Sequence, residues 1–156
     1  MELLSKSELF PSTGLGTSYI LRLDSGEELR GEVEKFCKEQ GINAAWVNAL
    51  GSCEDLELAY YNLEKKEYET KSFSEDLEIT TVVGNIALKD NSPFVHVHGT
   101  FSNSEMSVIG GHINRMVVSA TCEVSIWSMG GTSPEDTRRV GRKYAEATGL
   151  HLLCNI

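Results

Sequence analysis

The stretch Asn114–Trp127, NRMVVSATCEVSIW, is the longest regular pattern in the chain and sets its fold class. Apolar and polar side chains alternate from Met116 to Trp127, so a period of two is kept over 12 residues. This is the period of a β-strand, in which successive side chains lie on opposite faces of a sheet. The stretch therefore predicts a long strand with one packed face and one partly polar face.

Six further segments are predicted to be strands, because they alternate in polarity or are rich in branched apolar residues. They are Tyr19–Leu23, Ile42–Cys53, Leu56–Tyr61, Glu67–Phe73, Leu77–Leu88 and the segment around His96 and His98. Glu67–Phe73 is expected to be the hairpin partner of the strand before it. Gly84 is expected to mark a bulge or a close approach between backbones.

One helix is predicted over Gly26–Gln40, directly after the first strand. Its apolar stripe recurs at helical spacing and consists of Leu29, Val33, Phe36 and Cys37. We expect Asp24 or Ser25 to be the N-cap and Gly41 to end the helix. Ser133–Asp136 has the pattern of a second helix start. These elements predict an α+β domain with a mostly antiparallel sheet of six to seven strands.

Composition and charge narrow the class of protein. The chain has 156 residues, of which 40% are hydrophobic, and one domain over residues 1–156 is expected. It has no apolar run long enough for a membrane span and no basic-then-apolar signal segment, so we expect a cytoplasmic location. Its four dispersed cysteines are expected to be reduced thiols. A net charge of −9 disfavours non-specific attraction to nucleic acid.

Three of the four histidines lie in the segment Pro93–His112, PFVHVHGTFSNSEMSVIGGH. His96 and His98 are two residues apart in a predicted strand, so their rings leave the same face. His112 follows Gly110-Gly111, which is expected to turn the chain back towards the pair. Three neutral imidazoles suit a divalent metal, most simply zinc, with one coordination position left open. The alternative is a polar strand face with a third histidine nearby by coincidence.

The order of several short motifs resembles the PPC (plants and prokaryotes conserved) domain family. The motifs are Arg22-Leu23, Gly26–Leu29, Gly84–Ile86, His96–Ser102, Gly110–His112 and Glu123-Val124. The resemblance covers about residues 15–153. It implies an α+β fold on an antiparallel sheet and a homotrimer, and it places His96, His98 and His112 on the family's H-x-H and G-G-H positions.

The resemblance also implies a role in DNA binding, because the plant members join this domain to AT-hook segments. An AT-hook needs an Arg-Gly-Arg-Pro core that enters the minor groove, and Gly141-Arg142-Lys143 is the nearest approach here. The chain therefore resembles the single-domain members, which carry a provisional DNA-binding label. The remaining basis for DNA contact is the basic cluster Arg138, Arg139, Arg142 and Lys143. The alternative interpretation of this cluster is a solvated face or an oligomer contact.

These observations leave four hypotheses. The first is a homotrimeric protein that binds a divalent metal and a small anionic or carbonyl-bearing ligand. The second is a metal-dependent hydrolase or lyase at the same site, with Glu105 and Glu123 as candidate acid–base groups and Arg22 as a candidate anion clamp. The third is a DNA-binding, transcription-regulating protein. The fourth is an assembly scaffold without a ligand.

Overall fold

Nine strands and one helix form the part of the chain that the structure, a computed structural model, describes: residues 1–10, 15–129 and 140–156. The strands are β1 Glu2–Phe10, β2 Leu15–Asp24, β3 Ala45–Asn62, β4 Glu67–Phe73, β5 Leu77–Lys89, β6 Ser92–Ser102, β7 Val108–Ser128, β8 Val140–Ala145 and β9 Leu150–Asn155. The helix α1 spans Leu29–Gln40.

The sheet is antiparallel except for one contact. β7 lies between β2 and β3, and β3 in turn pairs with β5. β6 pairs with both β5 and β7, so β3, β5, β6 and β7 close on themselves. The single parallel contact joins Leu88 of β5 to Gly141 of β8. It brings the C-terminal hairpin β8–β9 against the edge of β5.

The helix covers one face of this sheet. The opposite face, called the open face below, carries exposed apolar side chains such as Trp46 and Trp127. Its buried side chains are the predicted stripe, and Phe36 packs edge-on against Tyr19 of β2 with ring centroids 5.3 Å apart. The core cluster continues through alternate residues of the central strands, among them Val97 and Val124. His96 and His98 alternate with buried Val95 and Val97, so their rings point away from the core.

The predicted fold class is confirmed: the domain is α+β and mostly antiparallel, with one helix after the first predicted strand. The strand count is higher than expected because β1 and the hairpin β8–β9 are added at the termini. β9 has no buried residue, and β8 buries only Gly141, so neither carries an alternating apolar signal. The predicted helix start at Ser133–Asp136 lies outside the described residues.

The predicted N-cap of the helix is wrong. Glu28 is the N-cap, and its carboxylate accepts hydrogen bonds from the backbone N–H groups of Arg30 and Gly31. The preceding residues form a turn tied to β7, in which the Gly26 N–H donates to the Val118 carbonyl. Gly26 has φ +85°, which ends the strand before helical geometry begins. The predicted stop at Gly41 is confirmed, with φ +68°.

Two predicted strands are one bent strand, β3. Its bends fall at Gly51, with φ +143°, and Asp55, with φ +47°, where the pairing with β7 also shifts register. Polarity alternation cannot distinguish a bulge from a break, because both interrupt the period. Buried and exposed residues alternate before the first bend, and Trp46 is 43% exposed because it lies between buried Ala45 and Val47.

No helix among the described residues is long and apolar enough to cross a membrane. The four cysteines are free thiols, and three of them, Cys37, Cys53 and Cys122, are buried. Burial raises the pKa of each of these three thiols to about 12, so they are unreactive at neutral pH.

Candidate metal centre

The hairpin between β6 and β7 brings the three histidines together. Its turn is at residues 103–107, where the Asn103 side-chain oxygen accepts hydrogen bonds from the backbone N–H groups of Glu105 and Ser107. The resulting register places His98 directly opposite His112. His96 is two residues from His98 on the same face of β6, so all three rings share one surface.

The predicted turn at Gly110-Gly111 is wrong. Both glycines lie inside β7, where Gly110 pairs with Thr100 and Gly111 with Gly99. Their role is close packing, because a Cβ on Gly110 would lie 2.8 Å from the Gly99 carbonyl oxygen. The close backbone approach expected at Gly84 is confirmed, because a Cβ added to this residue would lie 2.0 Å from the carbonyl oxygen of His96. The glycines therefore let the histidine-bearing backbones pack tightly.

The ring nitrogens converge to distances that suit a metal. His98 Nε2 and His112 Nδ1 are 3.4 Å apart. Two nitrogens on one tetrahedral zinc, at about 2.0–2.1 Å from the ion, lie roughly 3.3 Å apart, so this pair fits. One nitrogen from each of the three rings lies within 4.8 Å of the others, so His96 needs only a small movement to join.

Burial keeps the rings of His96 and His112 neutral at neutral pH. Burial lowers the pKa of His96 to about 4, and the charge of Arg142 adds to this effect. Burial lowers the pKa of His112 to about 4 as well, and the neighbouring rings of His96 and His98 contribute. Because a metal needs an imidazole lone pair, both rings are in their ligating form at neutral pH.

Arg142 of β8 is a site residue whose role the sequence did not reveal. Its guanidinium Nη2 donates hydrogen bonds to Asn85 Oδ1 (2.6 Å) and His96 Nδ1 (3.1 Å), and Nη1 donates to the His151 carbonyl (3.2 Å). Burial lowers its pKa from the ordinary value. Sequence reasoning grouped Arg142 with neighbouring basic residues. Only the register of β8 against β5 could have placed it beside His96.

Two tyrosines support the centre from the β3–β4 hairpin. Tyr68 stacks on His112, with ring centroids 5.1 Å apart and planes inclined by 28°. Tyr61 contacts Tyr68 edge-on and donates its hydroxyl to the Thr148 carbonyl at 2.6 Å. The stacked ring restricts the orientation of His112, and the hydroxyl ties this hairpin to the β8–β9 turn.

The other candidate residues lie elsewhere. Glu105 is exposed in the turn of the β6–β7 hairpin. Glu123 is also on β7, but 11 residues along the strand from His112, where it pairs with Arg22 of β2. Arg22 of β2 forms ion pairs with Glu2 (2.6 Å) and Asp24 (3.2 Å). The structure therefore brings together the three histidines but none of these groups.

The basic cluster is only partly described. Arg138 and Arg139 lie outside the described residues. Lys143 is exposed, whereas Arg142 is partly buried and bonded to His96.

The chain is similar to known proteins both in sequence and in structure. The family model of the Plants and Prokaryotes Conserved (PCC) domain matches residues 11–130. A PPC protein from Pyrococcus horikoshii is 31% identical with a TM-score of 0.82, and covers 100% of this chain and 99% of its own. A metal-containing protein from Archaeoglobus fulgidus is 34% identical with a TM-score of 0.79, and 99% of each chain is covered.

A third structure, described as a "putative dna binding protein" from Bacteroides thetaiotaomicron, is 25% identical with a TM-score of 0.80, and 96% of each chain is covered. A search of curated protein sequences found no match.

Proposed function

The chain belongs to the Plants and Prokaryotes Conserved domain family, and from this premise we propose that it binds a divalent metal, zinc in the first instance, through His96, His98 and His112. The observation that carries the proposal is the convergence of three imidazoles from adjacent strands, with one nitrogen of each within 4.8 Å of the others. The similarity to a protein described as metal-containing supports it.

The centre would keep an open coordination position, because three protein ligands do not complete a tetrahedral zinc. A small ligand would occupy that position. Bound at this position, a water molecule would be acidified by the metal, which is the chemistry a hydrolase or lyase uses. That enzymatic alternative lacks the acid–base groups expected from the sequence, since Glu105 and Glu123 lie away from the centre.

We propose further that the protein assembles as a homotrimer through the open face of the sheet. This face carries two neighbouring tryptophans, since Trp46 of β3 pairs directly with Trp127 of β7. Ile20, Leu50 and Val83 are also exposed there by 38–55%. An exposed apolar patch of this kind is typical of a protein–protein interface. His98 lies opposite Val83 on this face, so a partner subunit would border the metal centre.

DNA binding remains the alternative that the third structure's description favours. Its basis in the described residues is small, because they include only two members of the basic cluster, the partly buried Arg142 and the exposed Lys143. An electrophoretic mobility assay across a salt series tests it. Binding that weakens steeply with salt would favour the alternative, and no binding at low salt would exclude it.

Metal analysis tests the main proposal. The protein is purified with chelator, reconstituted separately with zinc, iron and nickel, and desalted before elemental analysis. We expect about one zinc per chain. Crystals of the zinc-loaded protein should give an anomalous signal between the three rings. Less than stoichiometric metal with all three ions, or an ion bound elsewhere, would refute the proposal.

A further inference from the structure

A cavity of about 490 Å³ adjoins the histidines on the side of the β8–β9 hairpin. His96 and His112 form one wall, and Lys89 and Arg142 supply two cations. Phe94 and the segment Leu150–Leu153 contribute apolar surface. None of the described residues that line the cavity is acidic, although the chain carries 23 acidic residues against 14 basic ones. The fold has therefore separated a cationic cavity from an acidic exterior.

Among the described residues, the cations around this cavity have no carboxylate partner. Lys89 Nζ lies 5.0 Å from the centre of the Phe94 ring, and the Arg142 guanidinium carbon lies 5.6 Å from it. Within the described part of the chain, neither forms an ion pair with a carboxylate, and the buried Nε–H of Arg142 has no hydrogen-bond partner. A buried donor without an acceptor is costly. An external anion would supply the missing acceptor.

The hydrogen bond from Arg142 to His96 links this cavity to the metal centre. A guanidinium is always a donor, so His96 Nδ1 must offer its lone pair to Arg142 and the ring proton must sit on Nε2. A metal on Nδ1 would take the same lone pair. A metal on Nε2 would move the proton to Nδ1, which could then no longer accept. Coordination by neutral His96 therefore excludes this hydrogen bond and frees one N–H of Arg142.

We propose that the cavity binds a small organic acid, whose carboxylate is held by Arg142 and Lys89 and whose apolar body lies against Phe94 and the leucines. This inference rests on the proposed metal centre in one respect: metal binding releases Arg142 from His96 and so strengthens carboxylate binding. The guanidinium fork matches the two carboxylate oxygens, and Lys89 adds a second charge.

Calorimetric titration with benzoate and its neutral analogue benzamide tests the proposal. Zinc-loaded protein should bind benzoate at least tenfold more tightly than benzamide, because the two differ mainly in charge. Arg142→Gln should weaken benzoate binding at least tenfold, as expected for the loss of a charge-assisted bond. Lys143→Gln is the matched control: it removes one charge at the next position of β8, where the side chain is exposed, and should leave benzoate affinity unchanged.

The outcomes separate the two proposals. Equal affinity for benzoate and benzamide, or unaltered benzoate binding by Arg142→Gln, would overturn the carboxylate site. Equal benzoate affinity with and without zinc would overturn the coupling. A zinc titration without benzoate measures the zinc affinity of the histidine centre alone. If zinc does not bind, the metal proposal fails, and benzoate binding by the metal-free protein then decides the carboxylate site by itself.

Discussion

Replacing His98 with alanine should weaken zinc binding about 100-fold. Zinc bound by four protein ligands gains about 10–16 kcal/mol, which is roughly 3 kcal/mol for each ligand. A loss of about 3 kcal/mol corresponds to about two orders of magnitude in affinity. The His98 ring is exposed and its Nε2 lies 3.4 Å from His112 Nδ1, so its removal takes away a ligand without opening a cavity in the core. Competition against a chromophoric zinc chelator near neutral pH measures the change.

His151→Ala is the matched control for His98→Ala. His151 is the fourth histidine, it is exposed, and its ring packs edge-on against Tyr144 with centroids 5.5 Å apart. It lies outside the cluster of three, so its variant should bind zinc within about twofold of the wild type. Thermal unfolding of both metal-free variants checks that they fold. A His98→Ala protein that keeps wild-type zinc affinity, or an equal loss in His151→Ala, would refute the three-histidine centre.

Three further outcomes follow from named contacts. Because the pKa values of His96 and His112 are lowered to about 4, the metal-free fold should lose stability as pH falls from about 6.5 to 4, which pH-dependent urea unfolding measures. Gly84→Ala should lower the free energy of unfolding by more than about 2 kcal/mol, because the added Cβ would overlap the His96 carbonyl. Gly31→Ala is its control: the added Cβ would meet only the end of a glutamate side chain, so the free energy of unfolding should change by less than about 1 kcal/mol. Trp46→Glu should convert a species of three times 17.2 kDa to single chains in light scattering; a wild-type chain that is already monomeric contradicts the trimer.

Sequence periodicity predicted what depends on local alternation. It identified the helix stripe, the long strand β7 and the shared face of His96 and His98. The sequence also predicted that His112 joins these two histidines, but for a mistaken reason. The chain turns back at residues 103–107, between β6 and β7, and not at Gly110-Gly111. Cross-strand register alone brings the third ring into place, and register is set by turn geometry and packing rather than by residue type.

Long-range pairing accounts for what the sequence could not predict. Arg142 is 46 residues from His96, and they meet only because β8 joins the edge of β5 through one parallel contact. The same limit applies to Arg22, whose motif match says nothing of the ion pairs that hold it on β2. The sequence of a basic cluster does not indicate which face of the strand each of its side chains occupies.

Charge balance provides the reason for treating metal and carboxylate as one system. Three neutral imidazoles leave the full double charge of a zinc ion in place, beside the cations Lys89 and Arg142. A partly buried region with that excess of positive charge is unfavourable until an anion enters, because opposite charges attract strongly where water is scarce. A bound carboxylate would offset the metal and both cations together. Binding linkage then requires benzoate to raise zinc affinity by the same factor by which zinc raises benzoate affinity, and a factor of one in both titrations would show that the two ligands act at unrelated sites.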